Sequence, residues 1–315
     1  MKKEREVNVL RIYFSALGGL ALYMALAVPS LAAEKIKLAI ITKFPVEFFF
    51  TLEKGAKEAA RKDGNIELVT GQGASGTDIE GQIALIESMV SQGVKGIAIT
   101  PVDATVATTL DKAVAAGVKV VLVDNDIPGW KGKTSYVGTD NFQGGVVAGK
   151  WLREHTKDGQ KFGILEGVPG VPALDDRYKG MVKGIGDRKL NIVGKGATSC
   201  NLDGGVKVAE DILTANPDLE GIYAVCGPPA VGAIQALKNA KVDFGKFILV
   251  GFDACCGEIE ALKAGQEDAT VAQFPLKMGE LGIATVAAAV RGQKVDPVVD
   301  TGTAIVTKEN ADQFK

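Results

Sequence analysis

The apolar run Phe247-Ile248-Leu249-Val250-Gly251-Phe252 ends in Asp253, Ala254 and two adjacent cysteines, Cys255 and Cys256. It reads as a strand buried on both faces, and ligands of open parallel sheets bind in the crevice beyond the carboxyl ends of such strands. A carboxylate there is placed to accept hydrogen bonds from a solute; it reads equally as the cap of the following helix. Val123-Asp124-Asn125 repeats the arrangement earlier in the chain. Three consecutive rings, Phe48-Phe49-Phe50, follow another strand-like segment, Ile36 to Thr42. Neighbouring helical positions fan out by about 100°, so these rings cannot all face inward, and at least one should face the crevice, where it can stack on the apolar face of a sugar.

Other chemistries fit less well. Gly71-Gln72-Gly73-Ala74-Ser75-Gly76 matches G-x-G-x-x-G, but it follows the second strand, and the next strand ends in Thr100-Pro101 rather than an acid. A Gly-rich turn before a capped helix explains it without a dinucleotide. His155 is the only histidine, at a helix end beside Glu154 and Thr156, and reads as a surface residue. No H-E-x-x-H, G-x-S-x-G or Walker sequence is present, so no catalytic residue, metal or cofactor is expected.

The elements that must position these groups follow a βα rhythm. Strands are expected at Ile36 to Thr42, Ile66 to Thr70, Gly96 to Thr100, Val118 to Val123 and Ser135 to Gly138, with helices between them. Thr77-Asp78-Ile79-Glu80 reads as a capping box, and Asp103 as a second cap. After Thr139-Asp140-Asn141 the rhythm restarts, with strands at Lys161 to Leu165, Asn191 to Val193, Gly221 to Val225, Phe247 to Phe252 and Thr270 to Ala272, and helices near 175–186, 202–215, 230–240 and 258–264. The expected fold is therefore α/β, two doubly wound parallel-sheet lobes joined by a multi-strand hinge near Gly138, Gln273 and Asp300. One lobe takes 34–139 with 274–300, because the Ala-rich helix from Pro275 to Arg291 can pack back on it; the other takes 140–273 with 301–315.

Lys2, Lys3, Arg5 and Arg11 precede an apolar span, Ile12 to Val28, and then Pro29-Ser30-Leu31-Ala32-Ala33. This is the layout of a signal peptide over 1–33, cleaved near Ala33, the rival being an uncleaved anchor. The chain carries a net charge of −2, and loss of that segment leaves about −4, which gives no electrostatic reason to bind nucleic acid. Four cysteines, Cys200, Cys226, Cys255 and Cys256, all lie in the second half. In an oxidising compartment an even count favours disulfides, with three connectivities open. A zinc site is disfavoured, since adjacent cysteines fit two tetrahedral corners poorly.

Taken together, the Phe-Phe after the first strand, Val123-Asp124-Asn125, Thr139-Asp140-Asn141 with Gly144-Gly145, Arg177-Tyr178-Lys179-Gly180, Leu213-Thr214-Ala215-Asn216-Pro217-Asp218, Val250-Gly251-Phe252-Asp253 and Ala272-Gln273-Phe274-Pro275 resemble the ribose-type periplasmic sugar-binding proteins of ABC importers, of type I fold. The resemblance runs from Lys37 to Val306. It implies that Phe48 and Phe49 line the ligand site and that Asp124, Arg177, Asp253 and Gln273 hydrogen-bond ligand hydroxyls. It also places Thr42 at a serine-like contact, Thr100 where Asn is usual, and Asn125 where Arg is common. Larger departures are Val46 for a polar residue, Cys200 for an aromatic ring, and Cys226-Gly227-Pro228-Pro229 where Asn-Asp is common.

These departures strip hydrogen-bonding groups from the second lobe, so a ligand with fewer hydroxyls than a hexose is expected. By the same resemblance, Cys200, Cys226 and Cys255 or Cys256 fall at crevice-side strand ends, and at least one disulfide is expected there, pairing Cys226 with Cys255 or Cys256. The implied function is a monomeric receptor, not an enzyme, in the periplasm. It would close over a small sugar or polyol and hand it to an ABC transporter permease. The rival is a receptor for a small polar non-sugar metabolite that signals to a membrane partner.

Overall fold

Strand and helix alternate twice along the chain, and each series closes into its own sheet. The computed structural model describes residues 35–314, so the expected signal segment and its cleavage point lie outside the described residues. The first series runs β1 (Ile36–Thr42), α1 (Glu47–Asp63), β2 (Ile66–Gln72), α2 (Ile79–Ser91), β3 (Gly96–Ile99), α3 (Ala107–Ala115), β4 (Lys119–Val123) and β5 (Ser135–Gly138). The second runs α4 (Asn141–His155), β6 (Lys161–Glu166), α5 (Pro172–Ile185), β7 (Asn191–Ala197), α6 (Leu202–Ala215), β8 (Gly221–Ala224), α7 (Gly227–Asn239), β9 (Ile248–Asp253), α8 (Glu258–Ala264) and β10 (Ala269–Ala272). The chain then returns through α9 (Pro275–Val290), β11 (Val298–Asp300) and β12 (Ala304–Thr307).

One sheet has the order β11-β5-β4-β3-β1-β2 and is parallel throughout. The other, β12-β10-β9-β8-β6-β7, is parallel except where β12 pairs antiparallel with β10. β3, β8 and β10 are buried at every position, as strands covered by helices on both faces must be. Each sheet separates two apolar clusters, one around Leu38 and Ile40 and one around Ile97 and Leu110 in the first lobe, with counterparts around Leu249 and Phe252 in the second. Three crossings link the sheets: β5 to α4, β10 to α9, and β11 to β12.

Local details differ from the sequence reading for identifiable reasons. The cap of α2 is Asp78, which accepts from the Gly81 N–H at 3.0 Å, not the Thr77–Glu80 box. α5 and α7 start earlier than expected, at Pro172 and Gly227, because proline is tolerated in a first helical turn, whose N–H groups lack intrahelical partners anyway. β11 and β12 complete the two sheets as short edge strands on either side of the linker expected near Asp300. α4 and α5 pack at close backbone range: a Cβ on Gly145 would collide with the Arg177 carbonyl oxygen, and one on Gly180 with that of Phe142. This crossing sets where Arg177 stands.

Candidate ligand-binding cleft

The carboxyl ends of strands from both sheets face one cavity, which encloses about 660 Å³ of space including its part open to solvent. The turn after β1 brings Lys43, Phe44 and Val46, and the start of α1 brings Phe48 and Phe49. The end of β4 brings Asp124 and Asn125. The second lobe supplies Arg177 from α5, Cys200 from the turn before α6, Cys226 after β8, and Asp253 with Cys255 and Cys256 at the end of β9; Gln273 comes from the crossing after β10.

Arg177 organises the second lobe's share. It is 4% exposed, donates from Nε to Asn141 Oδ1 at 2.8 Å, and from NH1 to the Val225 carbonyl at 2.8 Å and Asp253 Oδ1 at 2.9 Å. Its guanidinium lies 3.9 Å from the centre of the Phe252 ring, a stacking contact that a planar cation favours. Asp253 Oδ1 also accepts from Gln273 Nε2 at 2.6 Å, and Oδ2 accepts from the Gly227 N–H at 3.1 Å. Asp253 therefore does sit on a helix N-terminus, but on that of α7; α8 is preceded by Gly257 and has no side-chain cap. Gln273 Oε1 is buried and has no hydrogen-bond partner among the described residues.

Across the cavity, Asp124 is 6% exposed and its carboxylate bonds to no protein group among the described residues. Burial pushes its pKa up to about 6, against the pull of the Lys43 and Arg177 charges. Its backbone is left-handed, φ 66°, and its carbonyl is held by the Tyr136 hydroxyl at 2.8 Å. Asn125 donates from Nδ2 to the Pro101 carbonyl at 3.3 Å. Lys43, which the sequence reading passed over, is 9% exposed, and burial lowers its pKa. A lysine just after a strand reads as solvent-facing, and nothing in the local sequence signals otherwise.

Phe48 and Phe49 form an edge-to-face pair with centroids 5.2 Å apart, and Phe44 meets Phe49 at the same distance. Phe50, at 54% exposure, faces solvent. Two residues expected at the ligand do not line the cavity. Thr42 is buried in β1 and its hydroxyl accepts from Gln72 Nε2 at 3.3 Å. Thr100 is buried with its hydroxyl unpartnered among the described residues, and its carbonyl accepts from Gln82 Nε2 at 2.9 Å.

The cysteine pairing differs from the expected one. Cys200 bonds to Cys226, with Cα atoms 5.8 Å apart, and Cys255 bonds to its neighbour Cys256. Cys200 and Cys226 follow strands on either side of β6 and meet over its end, at an ordinary Cα spacing for a disulfide. Cys255 instead turns toward the other lobe and packs on the cluster that holds Phe48 and Phe49. Left-handed backbone at non-glycine residues gathers here: Asp124, Ser199, Cys200, Asp253, Ala254 and Cys256 all have positive φ, and only Lys241 shares that conformation elsewhere among the described residues. Such strain persists where surrounding bonds over-determine the backbone, which it does at sites of function more than elsewhere.

The rejected glycine motif is occupied by the protein itself. The Asp78 carboxylate takes the Ala74 N–H at 3.1 Å as well as that of Gly81, filling the place a phosphate would need. His155 ends α4, exposed, stacked on Trp151 with ring centres 3.9 Å apart. No cluster of metal-ligating side chains occurs among the described residues.

Two doubly wound lobes, linked by three crossings, with charged and aromatic groups from both facing one cavity, define a bilobal solute receptor. Residues 38–294 match the periplasmic binding protein domain, and the chain belongs to that family. Its relatives include the ribose import binding protein RbsB of Bacillus subtilis, 30% identical over 264 residues, 83% of this chain and 84% of that one. A solute-binding protein of Burkholderia graminis in complex with D-arabinose superposes with a TM-score of 0.84 at 30% identity, covering 90% of this chain and 99% of the other. One from Actinobacillus succinogenes with bound D-allose gives 0.82 at 28% identity, covering 89% and 100%. Among the described residues no helix is long and apolar enough to cross a membrane.

Proposed function

We propose that the chain is a secreted receptor that captures a small sugar or polyol between its lobes and delivers it to the membrane permease of an ABC importer, without transforming it. The observation that carries this reading is the convergence on one cavity of Asp124, Phe48 and Phe49 from one lobe with Arg177 and Asp253 from the other. Carboxylates accept from hydroxyls and guanidinium donates to them in charge-assisted bonds, which replace the water a sugar loses. A ligand touching both lobes favours the closed form by its differential affinity for that form, and a permease can read the difference. The ribose, arabinose and allose in the names of its relatives support import of a sugar-like solute over signalling.

In this reading 1–33 is a signal peptide cleaved near Ala33, and the mature chain works in the periplasm. Asp124, Asn125, Arg177, Asp253 and Gln273 contact the ligand's polar groups, the rings its apolar face, and Cys226 the wall between; Thr42 and Thr100 act from behind. Calorimetric titration with D-ribose, D-arabinose, D-allose and short polyols tests it. Binding of at least one, weakened more than tenfold by Asp253→Ala, is expected; an unchanged affinity in that variant refutes the assigned site.

A further inference from the structure

Two opposite charges face the cavity and do not pair with each other. The Lys43 ammonium makes no hydrogen bond or ion pair among the described residues, although Asp124 and Arg177 are the charges that act on it most. The Asp124 carboxylate is equally without a bonded partner. By contrast, Arg177 and Asp253, also on the cavity wall, are joined at 2.9 Å. Water in the open cavity reaches both groups, so a guest that displaces it must satisfy the ammonium and the carboxylate at once. A hydroxyl does so: its oxygen accepts from Lys43 Nζ and its proton goes to Asp124.

Apart from these charges and the polar groups of Asn125, Ser199 and Gln273, the wall is apolar. Both disulfides, Cys200–Cys226 and Cys255–Cys256, line the cavity together with Phe48 and Phe49. Disulfide sulfur is a weak acceptor and no donor, and a ring face is apolar. A hydroxyl pressed against either loses its water and gains no equivalent bond. The charges cancel in pairs, so the wall calls for no net charge on the guest.

Resting on the reading of this cleft as a solute site, we propose that its ligand is a neutral, partly deoxygenated polyol or deoxysugar: one hydroxyl bridges Lys43 and Asp124, and an apolar edge lies against the two disulfides. Lys43 is then a specificity-determining residue, and the disulfides serve as contact surface as well as cross-links.

The test is calorimetry on the oxidised mature protein with probes matched to their parents: D-ribose against 2-deoxy-D-ribose and 5-deoxy-D-ribose, erythritol against 1,2-butanediol, and D-erythronate as an anionic control. At least one deoxygenated probe should bind tenfold or more tighter than its parent. Lys43→Met should weaken that probe at least tenfold without lowering the melting temperature, since it replaces a buried charge by an apolar chain of similar length, and Lys43→Gln should recover part of the affinity. Tighter binding of each parent than of its deoxygenated partners overturns the proposal and leaves the solute-receptor reading standing. So does preference for erythronate, or a Lys43→Met affinity equal to that of the unaltered protein. Failure of every probe to bind overturns the proposal and the receptor reading together.

Discussion

Glu47 and Cys256 meet across the cleft: Glu47 Oε2, in the first turn of α1, accepts from the Cys256 N–H of the facing lobe at 3.0 Å. The donor lies on a turn in which Asp253, Ala254, Cys256 and Gly257 all have positive φ, a backbone held by the disulfide and by Glu258, whose Oε2 accepts from the Cys255 N–H at 3.0 Å. Closure of the lobes thus depends on a strained turn staying in place to present one N–H.

Glu47→Ala should therefore loosen the closed form. Glu47 is exposed, so solvent screening limits the bond to roughly 0.5–1 kcal/mol, a two- to fivefold effect on affinity. The effect should fall mainly on release, because the contact exists only once the lobes have met. Stopped-flow measurement of ligand release decides the matter; an unchanged rate would show that the contact does not hold the lobes together.

The Arg177–Asp253 pair should behave as a unit. Arg177 is buried and Asp253 largely so, with side chains 5% and 12% exposed, and removing one partner leaves the other charge in a mostly desolvated place, a loss of about 3 kcal/mol. Asp253→Ala strands a guanidinium still bonded to Asn141 and Val225, and Arg177→Met strands a carboxylate still bonded to Gln273 and Gly227. The double variant should thus lose less stability in urea than the two singles combined. Strict additivity would mean that the two charges do not depend on each other.

How far the sequence carried the fold and cleft can be argued from these same residues. Asp124 and Asp253 were legible because each ends an apolar run, and Arg177 because the motif around it resembles a known pattern. Lys43 was not legible: the sequence pattern marks the strand before it but does not say that the turn dips into the cleft. The pairing of Cys200 with Cys226 was hidden for a topological reason, since it depends on which strands flank β6, and strand order is not written in strand composition. β11 and β12 hold only three and four residues, too few for a periodic pattern, and their pairing comes from lying at sheet edges.

The two disulfides should differ in what they do for stability. Cys200–Cys226 spans 26 residues, and closing such a loop stabilises by about 3 kcal/mol through the unfolded chain. Cys255–Cys256 joins adjacent residues and closes no comparable loop. Replacing Cys200 and Cys226 by Ser should lower the melting temperature by roughly 6–12 °C, whereas replacing Cys255 and Cys256 should change it little. Calorimetric melting of both variants checks the difference, and a thiol count on the unreduced, denatured mature protein should find none free. Four reactive thiols, or equal melting shifts, would contradict this assignment.

Behind the Cys255 turn, Glu258 and Glu267 are buried side by side. Glu258 Oε1 accepts from the Thr270 hydroxyl at 2.7 Å, and a Cβ on Gly251 would strike both carboxyls. Burial raises both pKa values; Glu258 is pushed up to about 8, with the Asp253 charge adding to the rise, and Glu258 in turn raises Glu267 further. Neither Glu267 oxygen has a donor among the described residues, which a proton shared with Glu258 supplies. Because the folded values lie above the unfolded one of 4.5, the pair favours folding fully below that pH, and the contribution is lost as pH rises toward 8. The loss runs at up to about 1.4 kcal/mol per pH unit for each proton involved. Stability in urea should consequently fall between pH 5 and pH 8. Glu267→Gln, whose amide donates to an ionised Glu258, should match the unaltered protein at pH 5 and exceed it at pH 8. Curves that stay parallel across that range would show that the two acids do not share a proton, and would leave the pH dependence to exposed groups.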